Sequence, residues 1–181
     1  AGDFKGNLII LVNDNQMSIA ENHGGLYRNL AELRATNGQA ENNFFKTFGL
    51  DYKYLANGND IESLIHLFEE VKDIDHPIVL HIHTEKGRGY QPALENKEAF
   101  HWHMPFDLET GQSKVIDSGK SYSSVMLDYM DKKVSEGLPL VAINAAIPGI
   151  FGLKQFAAKY PDRYIDAGIA EQFTITFGGA M

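Results

Sequence analysis

Asn7-Leu8-Ile9-Ile10-Leu11-Val12 is a continuous apolar, β-branched run that stops abruptly at Asn13-Asp14-Asn15. A run so short and so uniformly apolar reads as a strand buried on both faces, as in a parallel sheet. Ile78-Val79-Leu80-His81-Ile82-His83 has the same character. Between them the spacing predicts helices over 26–33 and 42–48, the first broken near Asn37-Gly38, and a short strand over 51–55. A third helix is predicted over 61–74. Asn59 is its expected cap, with Glu62 three residues on as in a capping box, and Ile61, Leu64, Ile65, Phe68 and Val71 form its apolar stripe. Strand, helix and strand in this order predict an α/β fold with a parallel sheet.

From Gln91 to about Lys120 the chain turns polar and irregular, with Pro92, Pro105, Gly111 and Gly119, the composition of a linker. A second α/β unit follows. Ser121 or Ser123 can cap a helix carrying Val125, Met126, Tyr129, Met130 and Val134, which Gly137 closes. Strands are predicted over 140–143 and 164–169, with a short helix over 153–160 between them and another helix beginning near Glu171. The expected organisation is a first domain over 1–95, a linker over 96–120 and a second domain over 121–181. There is no initiator Met, and the far end stops inside an apolar segment with no cap or breaker, so the chain is expected to be part of a longer protein.

Formal net charge is −8 with no Lys/Arg cluster able to track a phosphate backbone, which argues against nucleic-acid binding. The absence of cysteine removes disulfide and thiolate chemistry, and no apolar run is of transmembrane length. A cytoplasmic protein is expected.

Three segments can carry chemistry. In open α/β sheets ligands sit beyond the carboxyl ends of strands, where Asn13-Asp14-Asn15-Gln16-Met17-Ser18-Ile19 lies. Magnesium takes oxygen ligands in octahedral geometry, and Asn15 offers a side-chain carbonyl and Met17 a backbone one. The same residues also suit a plain turn. Lys86-Gly87-Arg88-Gly89-Tyr90 follows a strand and could let backbone and charge approach a phosphate, or could again be only a turn. Glu171, in Gly168-Ile169-Ala170-Glu171-Gln172, is a carboxylate at a strand end that could share a proton with a ring nitrogen, or simply an acidic first turn of a helix. A competing reading gathers His81, His83, His101 and His103 into a zinc site, although no established ligand pattern supports it.

Taken in order, these segments resemble the 1-deoxy-D-xylulose-5-phosphate synthase family of the thiamine-diphosphate-dependent transketolase superfamily. Asn-Asp-Asn-x-Met-Ser-Ile over 13–19 is similar to the second half of its cofactor motif, and His81 to Ala93 to its next block. Phe100-His101 and Phe106-Asp107 resemble its linker, and Tyr160-Pro161-Asp162-Arg163-Tyr164 with Ile169-Ala170-Glu171-Gln172 the start of its pyrimidine-binding domain. The resemblance implies parts of two thiamine-diphosphate-binding α/β domains with parallel sheets, joined by a linker. It implies that Asn15 and Met17 ligate Mg2+, that Ile19 presses between the cofactor rings, and that Lys86 and Tyr90 line the cofactor or substrate side. Glu171 becomes the catalytic residue, hydrogen-bonded to the aminopyrimidine ring nitrogen. The implied reaction condenses pyruvate, with loss of CO2, and glyceraldehyde 3-phosphate to 1-deoxy-D-xylulose 5-phosphate, in a homodimer serving isoprenoid and thiamine biosynthesis.

The chain departs from the pattern in places. The Gly-Asp-Gly half of the metal motif would precede Ala1, and the 19–51 segment is shorter than usual for the family. Asn57-Gly58-Asn59-Asp60 replaces Asp-Gly-His-Asp, and Phe173 replaces the histidine after Glu-Gln. The rivals are another transketolase-like thiamine enzyme with other substrates and a non-catalytic paralogue that binds a partner or a nucleotide.

Overall fold

A computed structural model describes residues 1–115, 119–149 and 151–181. The chain divides into two compact units, one of residues 1–17 and 22–97, the other of residues 18–21 and 98–181. Of the expected 96–120 linker, residues 116–118 lie outside the described residues.

In the first unit, strands β1 (Leu8–Asp14), β2 (Asp51–Leu55) and β3 (Pro77–His83) form a parallel sheet in the order β1-β3-β2. Helices α1 (Gly25–Ala35) and α2 (Phe44–Thr47) fall between β1 and β2, and α3 (Ile61–Val71) lies between β2 and β3. The mixed helix and parallel strand content is the α/β class that the apolar runs predict. β3 is central and buried at every residue from Pro77 to Ile82. One face of the sheet, carrying Ile78, Leu80 and Ile82, packs on Leu67 and Val71 of α3, with Ile9, Leu55 and Leu64 around them. The opposite face carries Val79 and His81, since side chains alternate along a strand. α1 sends Arg34 to that side, where it pairs with Asp14.

Two expectations for α3 need correction. The cap is Asp60, whose carboxylate accepts the Ser63 N–H at 2.9 Å. Asn59 instead accepts the Glu85 N–H at 2.7 Å, so its side chain serves the loop after β3. The predicted stripe also splits: Leu64, Leu67 and Val71 face the sheet, whereas Ile61, Ile65 and Phe68 are exposed.

The polar stretch after β3 is more structured than a linker composition suggests. It holds a short helix α4 (Gln91–Glu95) and a 3-10 turn over Ala99–His101, and Phe106 pairs with Ser113 in an isolated bridge. In the second unit α5 (Tyr122–Ser135) is capped by Ser121, with Ser124 closing the reciprocal bond. Strands β4 (Ala142–Asn144) and β5 (Tyr164–Asp166) pair in parallel, separated by α6 (Leu153–Lys159), and α7 (Glu171–Ala180) follows. Both strands are shorter than predicted. Ala142, Leu153 and Phe156 form this unit's core, packed by Leu127, Met130 and Tyr160.

Candidate functional site

Parallel pairing puts Asp14 opposite His83, so the Asn15–Met17 turn and the 84–90 loop leave the sheet side by side. Crossed bonds tie them. The Thr84 N–H donates to the Asp14 carbonyl at 3.1 Å, and the Thr84 hydroxyl donates to the Asn13 side-chain oxygen at 2.6 Å. The Gly58 N–H reaches the His83 carbonyl at 2.8 Å and draws the loop after β2 onto the same edge. A cleft of about 270 Å³ opens there, bounded by Gln16, Asn57, Asn59, His83, Arg88 and Lys97.

The turn itself is unusual. Gln16 has φ +67°, a left-handed conformation rare outside glycine. The Gln16 N–H donates to one Asp14 carboxylate oxygen at 3.1 Å, and the Met17 N–H donates to the Asn15 side-chain oxygen at 3.0 Å. Asn15 and Met17 therefore share one turn. Lys86 lies in the following loop and Tyr90 is the residue before α4. Gly87, at φ +86°, lets that loop fold against Ala93, whose carbonyl carbon lies 2.8 Å from where a Cβ would stand.

Beneath the turn lies a buried polar network that the sequence reading did not assemble. Asp14 has a side chain only 3% exposed, and its second carboxylate oxygen accepts from Arg34 and, at 2.9 Å, from His81 Nε2. Because the carboxylate only accepts, Nε2 carries the hydrogen, and His81 Nδ1 lies 2.7 Å from the Tyr52 hydroxyl. Burial alone would raise the Asp14 carboxyl. The bonds from His81, Arg34 and the Gln16 N–H outweigh it and hold the group at about 2. Burial, with the nearby Tyr54 and Asp14, pushes the Tyr52 hydroxyl well above its ordinary range, so it stays an O–H. The Tyr54 ring meets His81 edge-on at 5.0 Å. This disposes of the four-histidine reading, since both His81 nitrogens are engaged inside the sheet. Among the described residues no group of three or more His, Cys, Asp or Glu is placed to hold a metal. The signal for the network was a histidine within an otherwise apolar, doubly buried run, which demands partners.

In the second unit Glu171 is the first residue of α7 and is exposed. The turn before it is held by Asp166, which accepts the Ala146 N–H at 3.1 Å, the Gly168 N–H at 2.8 Å and the Asn144 side-chain amide at 3.1 Å. Ile19 also belongs to this unit, within the 18–21 segment.

The profile of the 1-deoxy-D-xylulose-5-phosphate synthase family matches residues 1–43 and 35–84. Curated relatives extend the match along the whole chain. 1-Deoxy-D-xylulose-5-phosphate synthase 1 of Geobacter sulfurreducens is 34% identical over 218 residues, which cover 100% of this chain and 34% of that protein. The synthase of Listeria monocytogenes is 36% identical over 99% of this chain and 31% of its own. Synthase 1 of Geobacter metallireducens is 36% identical over 100% of this chain and 35% of its own. The chain belongs to the 1-deoxy-D-xylulose-5-phosphate synthase family. It spans about a third of the length of these relatives. Among the described residues no helix is long and apolar enough to cross a membrane.

Proposed function

We propose that this chain supplies part of the cofactor-binding machinery of a 1-deoxy-D-xylulose-5-phosphate synthase, an enzyme using thiamine diphosphate and Mg2+. The observation that carries the reading is the Asn15–Met17 turn at the carboxyl end of β1, in a chain of this family. The donor chemistry fits part of a magnesium shell. The Asn15 amide oxygen and the Met17 carbonyl are hard, neutral oxygen donors, and a carbonyl oxygen that accepts one N–H keeps a second lone pair. Asp14 is not the charge-balancing ligand, because its carboxylate is turned inward onto Arg34 and His81.

When bound, thiamine diphosphate supplies the electron sink for cleaving and forming bonds at a carbonyl carbon. The protein's own part is binding and orientation. Asn15 and Met17 would hold the metal beside the cofactor's diphosphate. Lys86 adds positive charge and Tyr90 a wall on the cofactor or substrate side. Ile19 would pack against the cofactor rings, and the Glu171 carboxyl would hold a proton at the aminopyrimidine nitrogen. The substrates are pyruvate and glyceraldehyde 3-phosphate, the product serves isoprenoid biosynthesis, and the parent protein is a homodimer.

Calorimetry on the full-length protein tests this. Saturable thiamine diphosphate binding that requires Mg2+, with pyruvate decarboxylation stimulated by glyceraldehyde 3-phosphate, is the expected result. No saturation with cofactor and metal together refutes it and favours a non-catalytic paralogue. Two observations support a second reading, a related thiamine enzyme with other substrates. Asn59 spends its side-chain oxygen on the Glu85 N–H, and the Phe173 ring stacks on Phe177 at 5.4 Å. Turnover of sugar-phosphate ketol donors in place of pyruvate would select it.

A further inference from the structure

We propose that Asp14 is a positioning residue: its buried carboxylate, anchored by Arg34 and His81, holds Gln16 in its left-handed conformation and thereby sets the Asn15 and Met17 oxygens relative to each other. The inference rests on the reading of Asn15 and Met17 as metal ligands.

Glutamine has no intrinsic reason to take φ +67°, because its Cβ crowds the backbone there. Something must hold it, and the Asp14 oxygen that accepts the Gln16 N–H at 3.1 Å is placed to do so. That oxygen is fixed because the other is committed to Arg34 and His81. Arg34 comes from α1 and His81 from β3, and His81 is held in turn by Tyr52 from β2, so the anchor draws on every strand of the sheet. From the other side the Thr84 N–H grips the Asp14 carbonyl. A buried ion pair is a poor source of stability compared with apolar packing. An apolar residue at this point could fill the space but could not restrain the Gln16 N–H. The arrangement is that of an outer group orienting the groups that touch a metal.

The test uses the full-length protein and reads apparent Mg2+ affinity at fixed thiamine diphosphate by calorimetry, with the melting temperature of the apo protein measured alongside. Asp14→Asn is expected to weaken Mg2+ affinity by about 10–100-fold. Gln16→Val does the same without threatening the fold, because residue 16 is exposed and a β-branched side chain resists positive φ. Gln16→Gly in the Asp14→Asn background restores much of the loss, since glycine takes this conformation freely. If Asp14→Asn lowers only the melting temperature, and Gln16→Val binds Mg2+ like the wild type, the inference is wrong. Should Asp14→Asn fail to fold, Gln16→Val alone decides. Asn15→Ala separates the two levels. Unchanged Mg2+ affinity in Asn15→Ala removes the metal-ligand reading and this inference with it. Impaired Asn15→Ala beside unimpaired Gln16→Val removes this inference alone.

Discussion

The Gly168 N–H donates to the Asp166 carboxylate at 2.8 Å, so the turn leading into α7 is fastened to the last residue of β5. The same carboxylate takes the Ala146 N–H, the Asn144 amide and the Tyr164 hydroxyl. Asp166→Ala leaves several of these donors unmade and should destabilise the protein by about 1–3 kcal/mol, read as a lower urea midpoint. Burial raises the Asp166 carboxyl, but the bonds from Gly168, Asn144 and Ala146 prevail and hold it below its ordinary value. A depressed folded value means that the stabilisation is complete above the unfolded value near pH 4 and is lost as pH falls through the folded one. The gap between wild type and Asp166→Ala should therefore be constant near neutrality and narrow in acid.

Leu80 sits at the centre of β3 with no exposed surface and packs within the α3 core. Leu80→Ala should cost about 2–5 kcal/mol, because the flanking strands limit collapse into the void. Chemical denaturation measures it. A cost below about 1 kcal/mol would mean that the core relaxes around the gap.

Tyr52→Phe removes the hydroxyl facing His81 Nδ1 and leaves a buried ring nitrogen without its partner. The ring itself is kept, including its stack on Phe45 at 5.8 Å. The expected loss is about 1–3 kcal/mol in urea denaturation.

Gly58→Ala should disturb the cleft. An added Cβ would stand 2.7 Å from the His83 carbonyl oxygen, the same atom that accepts the Gly58 N–H. The loop after β2 must then lift from the tip of β3. A lower melting temperature and faster amide exchange at position 58 in the full-length variant are expected. Unchanged exchange would show that the contact can give way without cost.

The sheet was legible in the sequence because two short, uniformly apolar runs ending in polar residues leave few alternatives to buried parallel strands. A serine before an amphipathic stretch can satisfy an end N–H, and of the two candidates, Ser121 and Ser123, the fold selects Ser121. The cap of α3 lies one residue beyond the expected Asn59. Asn59 and Asp60 are adjacent and equally suited, and only the fold shows that Glu85 claims the first. The α3 stripe was too generous, because apolar residues occupy more of that helix than the sheet can cover. The strand end that carries Asn15 and Met17 was legible because the apolar run stops at Asn13, close to where β1 ends. Arg34 was not, because it reaches Asp14 from a helix 20 positions away and no local pattern records that meeting.

β3 carries apolar residues on both sides, so its own alternation gives a weak instruction about which way it should face. The buried polar network supplies the missing instruction. A slip of one position would rotate His81 to the α3 side and strand Asp14, Arg34 and Tyr52 together in a dry interior. The misaligned sheet would thus be penalised far more than a greasy strand could penalise it alone. The alignment that survives is the one that brings Thr84 to Asp14, and so the tips of neighbouring strands arrive level.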